Sequence, residues 1–333
     1  MATMEEIAEK AGVSQATVSR VINGHSGVSE RKRKLVMEWV RKLDYQPNRT
    51  AQSLKNKKSY LIGIIIPEIS NPYFSEIIEK VEIEAKNQGY NVIIANSNGN
   101  KQTEKNVISS MQSRQIDGLL IAPIDKDSSH IKNLIKKNVF VVMLTQHLNG
   151  FSSVSVSHFN GGFKVAEHFN DLGHQSIAFI GNENDPKFKG FKKGLSKNGL
   201  KFDNNNLIEV KSWGGQMSSH EVYNSLNNFI KSKSRIDITG IFAYNDLAAF
   251  GAMNALVDNG LKIPNDIAVV GFDNTFIAQE LRPTLTSVAQ PTGEIGRLSV
   301  EILLKKIEGK LVEDKEVILE SRLIVRESTR KLE

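Results

Sequence analysis

The sequence predicts an N-terminal all-α headpiece joined to an α/β core of two lobes with parallel sheets. Three observations predict it. The formal net charge of +6 lies entirely in the first 60 residues, which carry twelve Lys/Arg against six Asp/Glu; the rest of the chain is balanced. Those 60 residues show helical periodicity broken by short polar turns. From Leu61 onward, short apolar runs alternate with amphipathic segments, and the series occurs twice.

A chain of 333 residues is long enough for two or three domains and a sizeable core. Cysteine is absent, which removes disulfides, thiolate nucleophiles and Cys-ligated zinc. None of the seven histidines forms an H-x-x-x-H pair, so neither a metal nor a cofactor is expected. The apolar runs at Leu61–Pro67 and Val139–Leu144 are too short to cross a bilayer. The acidic, amphipathic start, Met1–Lys10, is unlike a signal peptide, so a cytoplasmic protein off the membrane is expected. G-x-G-x-x-G, Walker A, G-x-S-x-G and H-E-x-x-H patterns are all missing, which argues against an enzyme. The charge asymmetry points to a polyanion partner for the first segment alone, with a solvated surface as the plain alternative.

In the headpiece, Thr3-Met4-Glu5-Glu6 reads as a capping box opening a first helix. Met4, Ile7, Ala8 and Ala11 share one side of it, and Gly12 ends it. Val13 can plug the turn. Ser14 is a good N-cap for a second helix, Gln15 to about Asn23, with Val18, Val21 and Ile22 inward. A third helix follows Ser29 to about Leu43, with Leu35, Val36, Trp39, Val40 and Leu43 as its apolar stripe. Two short helices and a tight turn make helix-turn-helix geometry, in which the second helix enters the major groove. Its outward face carries Gln15, Ala16, Thr17, Ser19 and Arg20. Arginine can pair with guanine, glutamine with adenine, and alanine can touch a thymine methyl; Thr17 and Ser19 suit phosphates. Thr3, Ser14 and Asn23, at the helix ends, complete the candidate DNA-binding set. Residues 47–55 could form one further short helix, marginal alone in water. From the residues alone, a basic linker is the simpler reading.

The motifs also carry a resemblance. Residues 11–23, Ala-Gly-Val-Ser-Gln-Ala-Thr-Val-Ser-Arg-Val-Ile-Asn, closely resemble the headpiece of the lac repressor/galactose repressor family of bacterial transcription regulators. Val28-Ser29, Leu43–Asn48 and Ala51–Leu54 continue the match. In the core, Ile62–Pro67 leading to Asn71-Pro72-Tyr73-Phe74 fits as well. So do Leu172-Gly173-His174, Ala243–Asp246, Val269–Asn274, Arg282–Val288 and Gln290-Pro291. The resemblance implies a periplasmic-binding-protein-like core with chain crossovers near 159, 289 and 322. The domains are then a headpiece at 1–47, a hinge at 48–58 and a core at 59–333. Lobe 1 comprises 59–158 and 290–322; lobe 2 comprises 159–289 and 323–333.

The resemblance also implies site residues. Gln15, Ala16 and Arg20 match base-reading positions. Asn48, Ala51, Leu54 and Lys55 match the hinge, with Leu54 as a minor-groove wedge. Asn71, Tyr73, Phe74, Trp213, Asn245 and Asp273 match effector contacts. Taken alone, the three aromatics fit ordinary packing equally well, and Asp273 fits a turn. The chain departs from the family pattern at three places. Lys187 stands where arginine is usual, Ser157-His158 replaces Asp-Asn, and Thr145 lies near a replaced acidic residue. Lysine is a point charge without the planar fork of arginine. These changes admit an atypical effector or a protein co-regulator.

The implied function is a repressor that binds a pseudo-palindromic operator and is controlled by a sugar-like effector. Activator and repressor are not distinguished by the sequence. A solute-binding transport protein, which shares the core, would lack the headpiece. The chain shows no leucine-heptad tail, so a homodimer is expected.

Overall fold

The computed structural model describes residues 2–22, 24–45, 58–125, 129–136, 139–210, 218–233 and 235–332. The chain divides into two compact units, Met1–Ser59 and Tyr60–Glu333. Of the sequence candidates, Asn23, Asn48, Ala51, Leu54, Lys55 and Trp213 lie outside the described residues.

The first unit holds helices α1 (Met4–Ala11), α2 (Gln15–Ile22) and α3 (Glu30–Lys42). Thr3 caps α1 by accepting from the Glu6 amide at 3.2 Å, the forward half of the expected box. Gly12 sits in the left-handed region at φ 63°, and the Val13 amide reaches back to the Ala8 carbonyl at 3.0 Å. That six-to-one bond is a Schellman ending. It tucks Val13 against the same small core, which is built on Ile7, Ala8, Ala11, Val18, Val21 and Val36. Leu35 corrects the expected stripe: it is solvent-exposed, because the stripe centres on Val36 and meets the core through Trp39, Val40 and Leu43.

The second unit contains two six-stranded sheets. The first has the order β11-β5-β4-β3-β1-β2. Its strands are β1 (Leu61–Ile66), β2 (Asn91–Asn96), β3 (Gly118–Ile121), β4 (Phe140–Thr145), β5 (Ser152–Val156) and β11 (Glu316–Leu319), all parallel. The second has the order β12-β10-β9-β8-β6-β7. It comprises β6 (Ile177–Gly181), β7 (Leu207–Glu209), β8 (Gly240–Ala243), β9 (Ala268–Asp273), β10 (Thr286–Ala289) and β12 (Arg322–Ile324). Only β12 runs antiparallel, against β10. Parallel neighbours need crossover helices, and these cover the sheets. On the first lobe they include α4 (Pro72–Asn87), α5 (Lys101–Ser113), α6 (Ser129–Lys136) and α12 (Thr292–Ile307). On the second they are α7 (His158–Asp171), α8 (Pro186–Lys197), α9 (Ser219–Ser232), α10 (Asp246–Asp258) and the short α11 (Phe276–Glu280).

The chain passes between lobes after β5, after β10 and between β11 and β12. The last passage falls at Glu320–Ser321, so Arg322 belongs to the second sheet, not to the first lobe as expected. Sequence periodicity missed β5, a Ser-Ser-Val-Ser-Val strand that is wholly buried. Two of its serines are tolerated there because their hydroxyls are bonded: Ser152 accepts from the Lys315 amide at 3.0 Å, and Ser153 pairs with His147 at 3.0 Å. It also missed β11 and α11.

A phenylalanine cluster fixes the second lobe beneath the cleft. Phe169, Phe179, Phe188, Phe191, Phe202, Phe242 and Phe272 pack together, with Phe179 stacked on Phe188 at 4.6 Å. Each buried ring contributes roughly 1.5–3 kcal/mol. Two glycines let α7 and α8 touch backbone to backbone. A Cβ at Gly162 would land on the Lys187 carbonyl, and one at Gly190 on the Phe159 carbonyl. This close approach brings the first turns of both helices, and so His158 and Lys187, to one place.

Candidate functional site

On the headpiece, α2 buries Val18 and Val21 and turns Gln15, Ala16 and Arg20 to solvent. Ser14 caps the helix by accepting from the Thr17 amide at 3.3 Å, and its hydroxyl pairs with that of Thr17 at 2.9 Å. Thr17 and Ser19 are half-buried, and the Thr17 hydroxyl is already engaged. The exposed set is therefore one guanidinium, one amide and one methyl group on one helix, the groups that read base edges.

In the core, the candidate residues cluster where parallel strands end and helices begin. Asn71 caps α4, accepting from the Tyr73 amide at 3.1 Å, with Pro72 in the first turn. Asn245 caps α10, accepting from the Ala248 amide at 2.8 Å. Asp185 caps α8, accepting from the Lys187 amide at 2.7 Å. Ser157, one of the departures from the family pattern, caps α7 through the Asn160 amide at 3.2 Å. So Asn71 and Asn245 are both buried and both hold helices with their side-chain oxygens.

The centre of the site is a hydrogen-bonded chain through Gln290, just past the end of β10. The Tyr73 hydroxyl donates to Gln290 Oε1 at 3.0 Å, and Gln290 Nε2 donates to Asp273 Oδ1 at 2.7 Å. The Gln290 side chain also favours the charged form of His158, against the effect of burial. One amide thus links Tyr73 of the first lobe to the end of β9. Phe74 packs edge-on to Tyr73 at 5.2 Å. Thr145 is buried at the end of β4 with φ 65°, and among the described residues no hydrogen bond joins it to this group.

Lys187 does not reach into open space as a sugar clamp would. Its ammonium donates to the Tyr244 carbonyl at 2.8 Å and lies 4.4 Å from the Tyr244 ring and 4.2 Å from the Phe272 ring. Phe272 also receives His158 edge-on at 5.8 Å. Burial, and then the Lys187 charge, push His158 down to about 4, so it is neutral at physiological pH. Burial pushes Asp273 up to about 6; Lys187 and the Gln290 bond oppose the shift without cancelling it. Asp246 is pushed up to about 7 by burial and then by Asp273, although Ser287 and Thr275 donate to it at 2.6 and 2.7 Å. Burial holds the Tyr73 and Tyr244 hydroxyls protonated, well above the usual phenol range. The arrangement offers buried hydrogen-bonding groups and aromatic faces at strand ends, with no nucleophile–base pair among the described residues. Gln290, Tyr244, Phe272, Asp185 and Asp246 were not singled out as site residues from sequence, although all but Asp185 lie within the motifs quoted above.

Comparison with known proteins agrees with both halves of this geometry. Residues 3–48 match the model of the bacterial regulatory proteins of the lacI family, and residues 166–329 match a periplasmic binding protein-like domain. Catabolite control protein A of Priestia megaterium is 33% identical over 336 residues, covering 98% of this chain and 99% of the relative. The chain belongs to the lacI family. It is a DNA-binding transcriptional regulator, and its relatives are transcription regulators rather than enzymes. The repressor PurR of Photobacterium profundum is 30% identical over the full length of both chains. Among solved structures, the lac repressor dimer bound to operator and the anti-inducer ONPF superposes with a TM-score of 0.87 at 29% identity, covering 99% of each chain. A regulator of this family from Enterococcus faecium with bound ribose gives a TM-score of 0.72 at 30% identity, over 82% of this chain and all of that one.

Proposed function

We propose that this lacI-family chain acts as a homodimeric repressor of a pseudo-palindromic operator, released or engaged by a small polyol or sugar derivative in the cleft between its lobes. The observation that carries the DNA half is the α2 face: Gln15, Ala16 and Arg20 exposed, with the opposite face closing the headpiece core. Thr3 and Ser14 set the helices that present it. Asn23 and the hinge positions Asn48, Ala51, Leu54 and Lys55 belong to the same reading by their match to the family. So do the boundaries 1–47, 48–58 and 59–333, and a cytoplasmic location. No described helix is long and apolar enough to cross a membrane.

The ligand half is supported by the Tyr73–Gln290–Asp273 chain. A ligand with several hydroxyls can donate to Asp273 and to the Tyr73 oxygen, and the rings of Phe74, Tyr244 and Phe272 suit its C–H faces. Asn71, Thr145, His158, Lys187, Trp213 and Asn245 complete the proposed contact set. The dimer half is supported by exposed Phe250 and Val257 on α10, beside a groove of about 350 Å³ lined by Ser219, Tyr223 and Val257. An apolar rim on a solvent groove fits a subunit contact.

The test is a thermal-shift screen of the full chain against neutral sugars, sugar phosphates and nucleobases. Operator-fragment binding is then measured with and without any ligand found. A ligand at one hundred times its Kd stabilises the chain by about 2.7 kcal/mol. A hit that changes operator affinity supports the reading. Failure of every polyol, with the chain folded, would sink the ligand half and turn the search to a protein co-regulator.

A further inference from the structure

The chain leaves β9 through two residues in an unfavourable backbone conformation. Asp273 has φ 104° and Asn274 has φ 53°. Consecutive side-chain-bearing residues with positive φ store strain, and such a turn persists only where its surroundings over-determine it. Glycine would adopt it freely, yet neither position is glycine.

Two groups of contacts hold the turn. The first centres on Asp246, the buried first residue of α10. Its Oδ2 accepts from the Thr275 amide at 2.7 Å and the Thr275 hydroxyl at 3.1 Å. Its Oδ1 accepts from the Ser287 hydroxyl at 2.6 Å, and Ser287 Oγ accepts in turn from the Asn274 amide at 3.0 Å. The second centres on Arg326, two residues past the end of β12. One guanidinium nitrogen donates to the Leu285 carbonyl at 2.6 Å, and another donates to Asn274 Oδ1 at 2.6 Å. The main chain around Arg326 is pinned to β10. The Arg326 amide donates to Thr286 Oγ1 at 2.8 Å, and Ser328 Oγ accepts from the Thr286 amide at 2.8 Å. A rigid planar fork on a fixed backbone thus spans two acceptors, which the point charge of a lysine does not reproduce.

We infer that Arg326 is a positioning residue for the ligand-facing carboxylate. It clamps Asn274 in its left-handed conformation, and that conformation aims the neighbouring Asp273 at Gln290 Nε2, 2.7 Å away. The segment beyond β12 thereby acts on the ligand site through Asn274. The inference rests on Asp273 being a ligand contact, but the clamp is present without a ligand. A carboxylate already held in place need not be ordered when a ligand arrives, so the clamp favours binding by preorganisation.

The test follows the Asp273 carboxyl in the ligand-free full chain by carbon NMR of aspartate-labelled protein, its signal assigned by its loss in Asp273→Asn. The groups that act on it are Lys187 and Asp185 at α8, Glu76 on α4 and Asp246 on α10, together with the Tyr73 and Tyr244 hydroxyls. In the wild type it titrates at about 6. Arg326→Met releases the turn toward water, so the carboxyl should titrate lower, toward 3.8. Hydrogen exchange at the Asn274 amide should quicken about ten-fold, the usual weight of a hydrogen bond to a charged group. An arginine acting only as a nearby charge predicts the opposite sign, because removing a cation raises a carboxyl pKa. Arg326→Lys keeps the charge without the fork; it should also titrate lower, and it serves if the methionine variant does not fold. Asn274→Gly removes both the bond and the strain, so adding Arg326→Met to it should move the titration no further. An unchanged or raised Asp273 titration in the Arg326 variants overturns the clamp, even if their melting temperature falls. So does a wild-type carboxyl already near 3.8. A further shift in the glycine background overturns Asn274 as the route. Because no ligand enters, these outcomes are read separately from the ligand screen, whose failure would remove Asp273 as a contact and leave the clamp measurable.

Discussion

Asp273→Asn should make the core more stable at pH 8 and leave it nearly unchanged at pH 4. The carboxyl is 5% exposed, and its pKa is raised from 3.8 to about 6. The native state therefore holds a proton that the unfolded chain has already lost between pH 4 and 6. Stability falls as pH rises through that window and stays low above it. A shift of about two units corresponds to roughly 3 kcal/mol. Asparagine carries no charge, and its side-chain oxygen can still accept from Gln290 Nε2, the bond now made at 2.7 Å. It also removes one of the two causes that lift Asp246 to about 7, which adds in the same direction. The assay is thermal and urea unfolding of the ligand-free chain from pH 4 to pH 8. At pH 8 the core transition should rise by roughly 6–12 °C, at about 2–4 °C per kcal/mol for a domain of this size. An effect of equal size at both pH values would refute the reasoning, as would a variant less stable than wild type at pH 8. Either result would mean that Lys187 and Gln290 already compensate the buried charge.

The remaining predictions are shorter. Arg20→Ala should weaken operator binding by about 1–3 kcal/mol while binding to unrelated DNA at the same salt changes far less; fluorescence anisotropy on both sequences decides, and equal losses would make Arg20 a phosphate contact. Ser14→Ala should cost the headpiece about 1 kcal/mol by uncapping α2, seen as faster amide exchange at Thr17 and its neighbours. Gly162→Ala should destabilise the core by about 1–3 kcal/mol, since α7 must move off the Lys187 carbonyl; a neutral effect in urea unfolding would mean that the helices separate freely. Lys187→Met should carry the pH window of Asp273 upward from about 6, because Lys187 is the first of the influences that lower it; a repeat of the pH–stability profile tests this.

The headpiece was legible because its signals are local. A cap hydroxyl, a left-handed glycine and a three-to-four residue apolar spacing act within one or two turns, and Thr3, Gly12 and Ser14 behave as those rules require. Leu35 shows where the rule stops. It satisfies the spacing with Trp39, yet the core is small enough for Val36 to fill, and the stripe has one member too many. Strand β5 fails in the opposite sense. Its serines read as a polar loop, and their burial is made tolerable by partners outside the strand: the distant Lys315 amide for Ser152 and His147, six positions away, for Ser153.

The site divides along the same line. Asn71 and Asn245 lie at strand ends because each caps the helix that follows, and a cap before an amphipathic run is visible in a sequence; Asp185 does the same for α8 and was not singled out. Gln290 was not visible in this way, since its bond to Tyr73 spans 217 positions. Nor was the direction of Lys187. As a residue type it reads as a cation for a ligand; in the fold its ammonium sits on the Tyr244 carbonyl and two rings. That placement has an electrostatic consequence. Lys187 only moderates the charge on Asp273, while Asp185 and Glu76 raise its pKa further, so this part of the cleft stays short of positive charge. A phosphate would meet uncompensated carboxylates there, at an unfavourable energy in a poorly solvated site. A neutral ligand that donates hydroxyls to Asp273 would meet no such opposition. The direction of that one lysine supports the proposed neutral polyol over a phosphate.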